Sequence, residues 1–223
     1  MKTCLKLMIF MFIPLCGNWF LHAGDHDFGH WGEYGVNAKI KDAWYFKSDI
    51  LFRFRDNAGD FHYFRWESGP GVKLHKNFSL SVMYRINPQE KNEEWKNQHY
   101  LIVDPVLKLY SSAAWTLDFR SRFQVKLGDL GRGFWRPRPQ LSRHFKLANN
   151  KTSWFVNNEF FFQITELGDR DRFNQNRFAS GFKFRLGRTF SLSTYYLLRS
   201  DKIPVVDEWA HIHVFGTALH AAF

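Results

Sequence analysis

The stretch from Trp115 to Leu127 alternates between apolar and polar residues over thirteen positions. One face is apolar except for a single small serine: Trp115, Leu117, Phe119, Ser121, Phe123, Val125 and Leu127. The other face is polar and mostly charged: Thr116, Asp118, Arg120, Arg122, Gln124 and Lys126. A period of two residues predicts a β-strand with one dry side and one charged side. Because a tilted strand of roughly nine to eleven residues crosses a bilayer, the segment is typical of a membrane-spanning β-barrel with a polar interior.

Similar segments recur along the chain, and the sequence predicts eleven strands: Trp31–Ile40, Trp44–Phe54, Phe61–Leu74, Phe78–Ile86, His99–Tyr110, Trp115–Leu127, Arg138–Leu147, Ser153–Thr165, Gln175–Leu186, Phe190–Ser200 and Trp209–Phe223. No linker divides this array, which predicts one domain over residues 24–223. Single-chain bacterial barrels have even strand numbers. The expected fold is therefore an all-β, antiparallel transmembrane barrel of ten to twelve strands: ten if the first segment is not a full strand, twelve if one strand is undetected.

Short connections alternate with longer, more polar ones. Lys41–Ala43 and His75–Asn77 are short, whereas Asn87–Gln98 and the glycine-rich Gly128–Pro137 are long. Outer-membrane barrels pair short periplasmic turns with longer external loops. The alternation therefore favours such a barrel over a soluble β-sandwich.

The first residues have the pattern of a secretory signal peptide. Lys2 and Lys6 precede the apolar stretch Leu7–Leu15, and the small residue Ala23 suits cleavage. The sequence thus predicts export, with residues 1–23 removed. Both cysteines of the chain lie in this segment, so we expect neither a disulfide framework nor a thiol nucleophile in the mature protein.

The last segment ends on Phe223, with Leu219 and Phe215 at even spacings behind it. A terminal aromatic in such a strand resembles the signal read by the outer-membrane barrel assembly machinery. Apolar residues occupy the other face as well, so the facing of this strand stays open. We expect a monomer in a Gram-negative outer membrane, in contact with its lipid and lipopolysaccharide.

The chain is basic and aromatic, with a formal charge of +10 and 25 phenylalanines. Nucleic-acid binding would need basic and aromatic side chains interleaved on one surface. Here the alternation places them on opposite faces of the same strands. Nucleic acid is therefore not an expected partner.

Two short patterns resemble a known bacterial family. The stretch from Asp118 to Gln124 is similar to the Arg-x-Arg strand of the proteins grouped as domain of unknown function 2490, and Asn176–Gly181 is similar to their late Asn-Arg-x-x-x-Gly signature. Glu159 in an aromatic strand and the terminal strand with His211 add to the resemblance. It implies an outer-membrane barrel of unestablished activity and supplies no catalytic residues. Gln124 stands where the family pattern leads us to expect Glu, which puts a charge network built on that position in doubt.

Twelve charged residues are predicted to face the lumen: Arg53, Arg65, Glu67, Arg85, Asp118, Arg120, Arg122, Glu159, Arg177, Lys183, Arg185 and Arg199. They predict either a narrow pore or a lumen filled by its own ion pairs, as in a structural or interaction barrel. Because arginine outnumbers carboxylate, a conducting barrel should prefer anions. Arg143 falls on the lipid side of its strand, where it must reach an interface or be turned inward by a bulge.

Other functions have weaker signals. A lipid-modifying hydrolase at the rim would pair Ser191 or Ser193 with His211 or His213. The two histidines, with Asp207 or Glu208, also have the composition of a metal site, but a third ligand is not specified. A soluble periplasmic barrel that binds lipids is a further alternative. We assign no catalytic residue, metal or cofactor, and favour a non-enzymatic barrel.

Overall fold

The computed structural model describes residues 28–91, 94–128, 133–148, 150–165, 172–203 and 208–223. The predicted signal peptide, the potential metal ligand Asp207 and the central part of the glycine-rich connection lie outside the described residues.

Eleven strands make up the described chain: β1 Phe28–Lys41, β2 Trp44–Arg55, β3 Asp60–His75, β4 Phe78–Lys91, β5 Glu94–Ser111, β6 Trp115–Leu127, β7 Gly133–Leu147, β8 Asn150–Gln163, β9 Phe173–Leu186, β10 Phe190–Ile203 and β11 Glu208–Ala222. Their lengths run from 12 residues in β2 to 18 in β5. Each exceeds the roughly nine to eleven residues that cross a bilayer. The all-β prediction is confirmed.

The strands form one closed barrel in sequence order. Each strand pairs antiparallel with the next, and β1 pairs with β11 in parallel, from Phe28↔His213 to Asn37↔Ala222. Every hairpin reverses the chain, so the first and last of an odd number of strands must run the same way. The choice between ten and twelve strands was wrong: all eleven segments are strands, and one parallel pair closes the barrel.

The two ends of the barrel differ in their connections. At the turn end the strands are joined across residues 42–43, 76–77, 112–114, 148–149 and 187–189. Asp42 and Ala148 there have φ of 50° and 47°, as tight hairpin turns require. The opposite, loop end carries the other five connections.

The strands extend further toward the loop end than the sequence predicts. The predicted loop Asn87–Gln98 is mostly ladder, because β4 and β5 remain paired as far as Lys91↔Glu94. Within the predicted loop Gly128–Pro137, residues from Gly133 onward already belong to β7. Turn-forming and polar residues at these positions interrupt the apolar–polar alternation, so the sequence did not predict the strand extensions.

Alternation in β6 places its two faces as the sequence predicts. Phe123 is 41% exposed on the outside, whereas Arg122 beside it is 2% exposed in the interior. The structure also answers which side of β11 faces outward, a question that the sequence left open. Phe215 and Leu219 lie outside, and Val214 and Ala218 are buried inside.

The end of the chain is held against β1. The backbone N–H of Phe223 donates to the carbonyl of Asn37 at 3.1 Å, and its own carbonyl accepts from the N–H of Lys39 at 2.9 Å.

Candidate functional site: the barrel interior

Glu67 is the centre of a buried ion-pair network. It is 2% exposed, in β3, and its Oε2 accepts from Arg85 Nη2 at 2.7 Å and Nε at 2.9 Å. On the other carboxylate oxygen, Arg122 Nη1 donates at 3.2 Å, while Arg65 Nε lies 3.8 Å from Oε2. Side chains with no access to water require such partners, since a buried charge without one is strongly destabilising.

Two further carboxylates extend this network along β5 to β8. Asp104 accepts from Arg122 Nη2 at 2.7 Å. Glu159 accepts from Arg136 Nη2 at 3.0 Å and is also bound by Arg120. Three carboxylates thereby hold arginines from β3, β4, β6 and β7 in one continuous assembly, which fills the barrel on that side.

Gln124 links the two halves of the network. Its Oε1 accepts from Arg85 Nη1 and from Arg136 Nη1, both at 2.9 Å. An amide oxygen satisfies these donors without adding a negative charge. The position at which the family pattern leads us to expect Glu is thus part of the network, but as a neutral acceptor, so the interior keeps more positive charge.

The facing wall of the interior, from β9 through β11 to β3, contains an apolar cluster among its charged residues. Its buried cluster consists of Trp31, Leu51, Tyr63, Ala179, Leu197 and Val214. Between the two walls, Met83 and Ile102 are 1% and 0% exposed. Charged and apolar groups together therefore fill the middle of the barrel, in keeping with the filled interiors of small barrels.

Cations and aromatic rings alternate where the two walls meet. The guanidinium carbon of Arg53 lies 4.0 Å from the ring centres of both Trp31 and Tyr63. That of Arg177 lies 5.2 Å from Trp31 and 4.4 Å from Phe161. These are cation–π distances. Among the described residues neither arginine has a carboxylate within 4 Å, unlike those of the Glu67 network.

A cavity of about 610 Å³ lies above this stack, at the loop end. Its cationic lining residues are Arg53, Arg65, Arg85, Arg136, Arg177, Arg199 and Lys202. Asp201 is the one carboxylate among the described lining residues, and it is paired with Arg199 at 2.7 Å. The described lining is therefore electropositive. A second space of about 300 Å³ lies at the turn end, beside Tyr45 and Phe223.

The structure distributes the predicted charged residues over three environments. The ion-pair network contains Arg65, Glu67, Arg85, Arg120, Arg122 and Glu159. The loop-end cavity is lined by several of these and by Arg53, Arg177 and Arg199. Asp118 is half-buried, and Lys183 and Arg185 are exposed near the turn end, so these last three are not brought into the site.

Sequence reasoning missed Asp104, Asp49 and Arg136, which are 3%, 3% and 4% exposed. Both faces of β5 are largely apolar, so Asp104 did not stand out in the sequence. Alternation along the strand nevertheless places it on the inward face. Arg136 was hidden by Pro137 and Pro139, which lack a ladder donor. The β7–β8 ladder is indeed interrupted between Trp135↔Phe162 and Gln140↔Asn157, yet the strand continues.

The serine–histidine pairs considered for a hydrolase are not assembled. Ser193 is buried inside and pairs in register with Ala218, whereas His211 lies outside and hydrogen-bonds Ser200 at 2.9 Å. A different histidine, His144, contacts Thr116 at 2.7 Å and Ser153 at 2.8 Å.

Glu33, Asp49 and His220 place their ligand-type atoms within 4.8 Å of one another. These carboxylates already have cationic partners, because Lys47 lies 3.1 Å from Asp49 and Arg65 lies 3.4 Å from Glu33. The arrangement is that of a neutralised interior cluster, and it resembles the Glu67 network more than an open metal centre.

Polar groups on the outer face are paired laterally between strands. Each of three indole N–H groups donates to a serine hydroxyl on the neighbouring strand: Trp66 to Ser48 at 3.0 Å, Trp135 to Ser121 at 2.8 Å and Trp154 to Ser180 at 3.1 Å. Two tyrosine–histidine pairs also form hydrogen bonds between neighbouring strands: Tyr84 with His99 at 2.6 Å and Tyr196 with His213 at 2.5 Å. The serine that interrupts the apolar face of β6 is thus an acceptor for a tryptophan.

Arg143 lies on the outer face, as the alternation predicts, and no bulge turns it inward. It is exposed, four residues before the turn-end terminus of β7, and its guanidinium carbon lies 5.6 Å from the ring centre of Trp115. A position near the end of the barrel suits an arginine whose stem covers apolar surface while its head reaches water.

The described residues contain no helix long and apolar enough to cross a bilayer.

Comparison with curated proteins finds no match to this chain. Comparison with protein families does: residues 28–208 match the family described as "Protein of unknown function (DUF2490)". The match runs from the start of β1 to the start of β11 and includes every group of the Glu67 network. The chain therefore belongs to the DUF2490 family, as its Arg-x-Arg and Asn-Arg-x-x-x-Gly patterns predict.

Proposed function

We propose that this chain is a monomeric, membrane-spanning barrel of a Gram-negative outer membrane, exported by a cleaved signal peptide. The turn end faces the periplasm and the loop end faces the exterior, as in barrels with short periplasmic turns. The outer face supports this. It presents large apolar side chains such as Phe123, Val82 and Tyr84, all more than 40% exposed, and it pairs its polar tips without needing water.

The barrel works as a closed binding or interaction barrel rather than as an open pore. The observation that carries this proposal is the filled middle: Leu51, Met83, Ile102 and Arg122 are each at most 2% exposed. An aqueous channel would leave such inward groups wet. Lipid and lipopolysaccharide contact the outer face, and the barrel assembly machinery is the partner during insertion.

Fractionation tests the location. The mature protein should sediment with outer membranes and require detergent for extraction. Recovery in the soluble periplasmic fraction would overturn the proposal and favour a soluble lipid-binding barrel instead.

Planar bilayer recording tests the closed interior. We expect no steady conductance from the purified barrel. A narrow anion-preferring pore is the second candidate, because the loop-end cavity is electropositive. It predicts that the reversal potential under a potassium chloride gradient has the sign expected for anion selectivity. The anion preference should weaken near 1 M salt, where the Debye length is roughly 3 Å.

A further inference from the structure

The loop-end cavity contains two arginines that have no carboxylate within 4 Å among the described residues, although Glu159 lies across the ladder from Arg177. Arg65 and Arg85 share Glu67, and Arg136 binds Glu159. Arg53 and Arg177 have only aromatic faces as close partners among the described residues. Both rest against the same indole, that of Trp31, so two guanidinium groups without a close carboxylate lie near each other at the cavity wall.

The way in which these arginines are held leaves the Nε of each without a hydrogen-bond partner among the described residues. A guanidinium donates its N–H groups in its own plane, and stacking on a ring uses only its face. Arg53 has a ring centre 4.0 Å away at both Trp31 and Tyr63. It is 6% exposed, and its Nε has no hydrogen-bond partner in the described part of the chain; the same is true of Arg177 Nε.

We propose that this cavity binds a small phosphate monoester, with Arg53 and Arg177 as the anchors of the phosphate. A phosphate monoester carries nearly two negative charges at neutral pH, which suits two guanidinium groups that have no carboxylate within ion-pair distance. Planar guanidinium groups bind phosphate oxygens bidentately. The inference deepens the closed binding barrel proposed above and rests on it.

The remaining lining suits the organic part of such a ligand. The lining includes the aromatic rings of Tyr63 and Phe161 and the amides of Asn87 and Gln163. A volume of about 610 Å³ lies within the roughly 300–1,000 Å³ of small-molecule pockets. The site therefore accepts a polar, compact ester. The same chemistry is found in soluble phosphate esters and in the phosphate of a lipid headgroup. The cavity is lined mostly by interior side chains such as Arg53 and Arg177 rather than by the apolar outer face, which favours the soluble source.

The test is calorimetric titration of the purified barrel in detergent with glucose 6-phosphate, glucose, inorganic phosphate and dihexanoyl phosphatidic acid. We expect saturable binding of glucose 6-phosphate, none of glucose, and competition by inorganic phosphate. Binding of the phosphatidic acid alone would support the anion site and assign it to a headgroup. If no phosphate-bearing probe binds, the proposed site is wrong, while outer-membrane fractionation and the absence of conductance would still support the closed barrel.

Three variants localise the binding. Arg53→Gln or Arg177→Gln should weaken phosphate binding about tenfold or more, as expected for loss of a charge-assisted hydrogen bond. Arg185→Gln removes the same charge from the turn end of β9, where the side chain is exposed, and should leave affinity within about twofold. Equal losses in Arg185→Gln and Arg177→Gln would indicate a general field rather than this site.

A nearly isosteric variant keeps the test valid if those substitutions impair folding. Gln124→Glu replaces the amide that bridges Arg85 and Arg136 with a carboxylate. It should fold, because both its neighbours are cations, and it should weaken phosphate binding at least fivefold by adding a negative charge to the lining. Unchanged affinity in this folded variant would overturn the proposal.

Discussion

The inner and outer faces of the barrel wall satisfy their polar groups in different ways. Inside, charged groups bind charged groups, as Glu67 does with Arg85 and Arg122. Outside, neutral groups bind neutral groups across adjacent strands, as Trp135 does with Ser121. A water-covered surface needs no such lateral pairing. The contrast shows that the inner face retains its charges in ion pairs, whereas the outer face pairs neutral groups and has Arg143 only near the turn end.

The largest effect is expected from breaking the inner network at its centre. Glu67→Gln leaves Arg85 and Arg122 with fewer counter-charges and should lower the free energy of unfolding by about 3–5 kcal/mol. Urea unfolding, followed by heat-modifiable gel mobility, measures the change. Asp60→Asn is the matched control, because its partner Arg55 is exposed and such pairs contribute at most about 1 kcal/mol. Similar losses in both variants would contradict the central role of Glu67.

A charged residue introduced on the outer face should lower the free energy of unfolding by somewhat less. Phe123→Arg puts a charge near the middle of β6 and, in lipid, should destabilise the barrel by about 2–4 kcal/mol. Leu109→Arg, close to the turn end of β5, is the control, with about 0–1 kcal/mol expected near an interface. Refolding into lipid vesicles measures both. If Phe123→Arg is neutral, the outer face is in water.

A smaller effect is expected from unpairing one outer polar group. Ser121→Ala removes the acceptor of the Trp135 indole N–H and should cost about 1–3 kcal/mol, because a donor in an apolar medium is left without a partner. The double variant with Trp135→Phe should recover part of the loss. Unfolding in vesicles reports the difference, and additive costs in the double variant would argue against the pairing.

The smallest effect on stability is expected from Arg53→Gln. No carboxylate loses its partner, and removal of a buried charge offsets part of the lost cation–π contacts, so the net cost should be about 1 kcal/mol. The same unfolding assay applies, with Arg122→Gln as the comparison that should cost several times more. A large loss in Arg53→Gln would show that this arginine is structural.

Period-two alternation was sufficient to predict that the eleven strands exist, because each of them has one face that must be apolar, but it did not predict how far they extend toward the loop end. Strand β6 is the clearest example, and even Ser121, which interrupts its apolar face, serves as the acceptor for Trp135. The interior was harder to predict. Parity identifies Glu67 and Arg122 as inward residues, but it cannot identify which strand lies opposite which residue, so their pairing could not be foreseen.

The unpaired arginines illustrate the same limit. Arg53 and Arg177 looked equivalent to the other inward arginines in sequence. Their distinct environment arises only when β1 closes against β11 and brings Trp31 between them. Likewise, Asp104 becomes important only because β6 presents two arginines beside it.

The parallel closure also has a consequence for how the barrel forms. Ten of the eleven strand pairs join neighbours in sequence, and each can form locally. The pair of β1 with β11 joins segments at opposite ends of the chain, so it carries the largest loop-closure entropy and the greatest contact order. Its register is the accumulated result of all ten hairpins, so an error in any of them must appear at this seam. Folding is therefore expected to end there, with the seam as the checkpoint of the whole barrel.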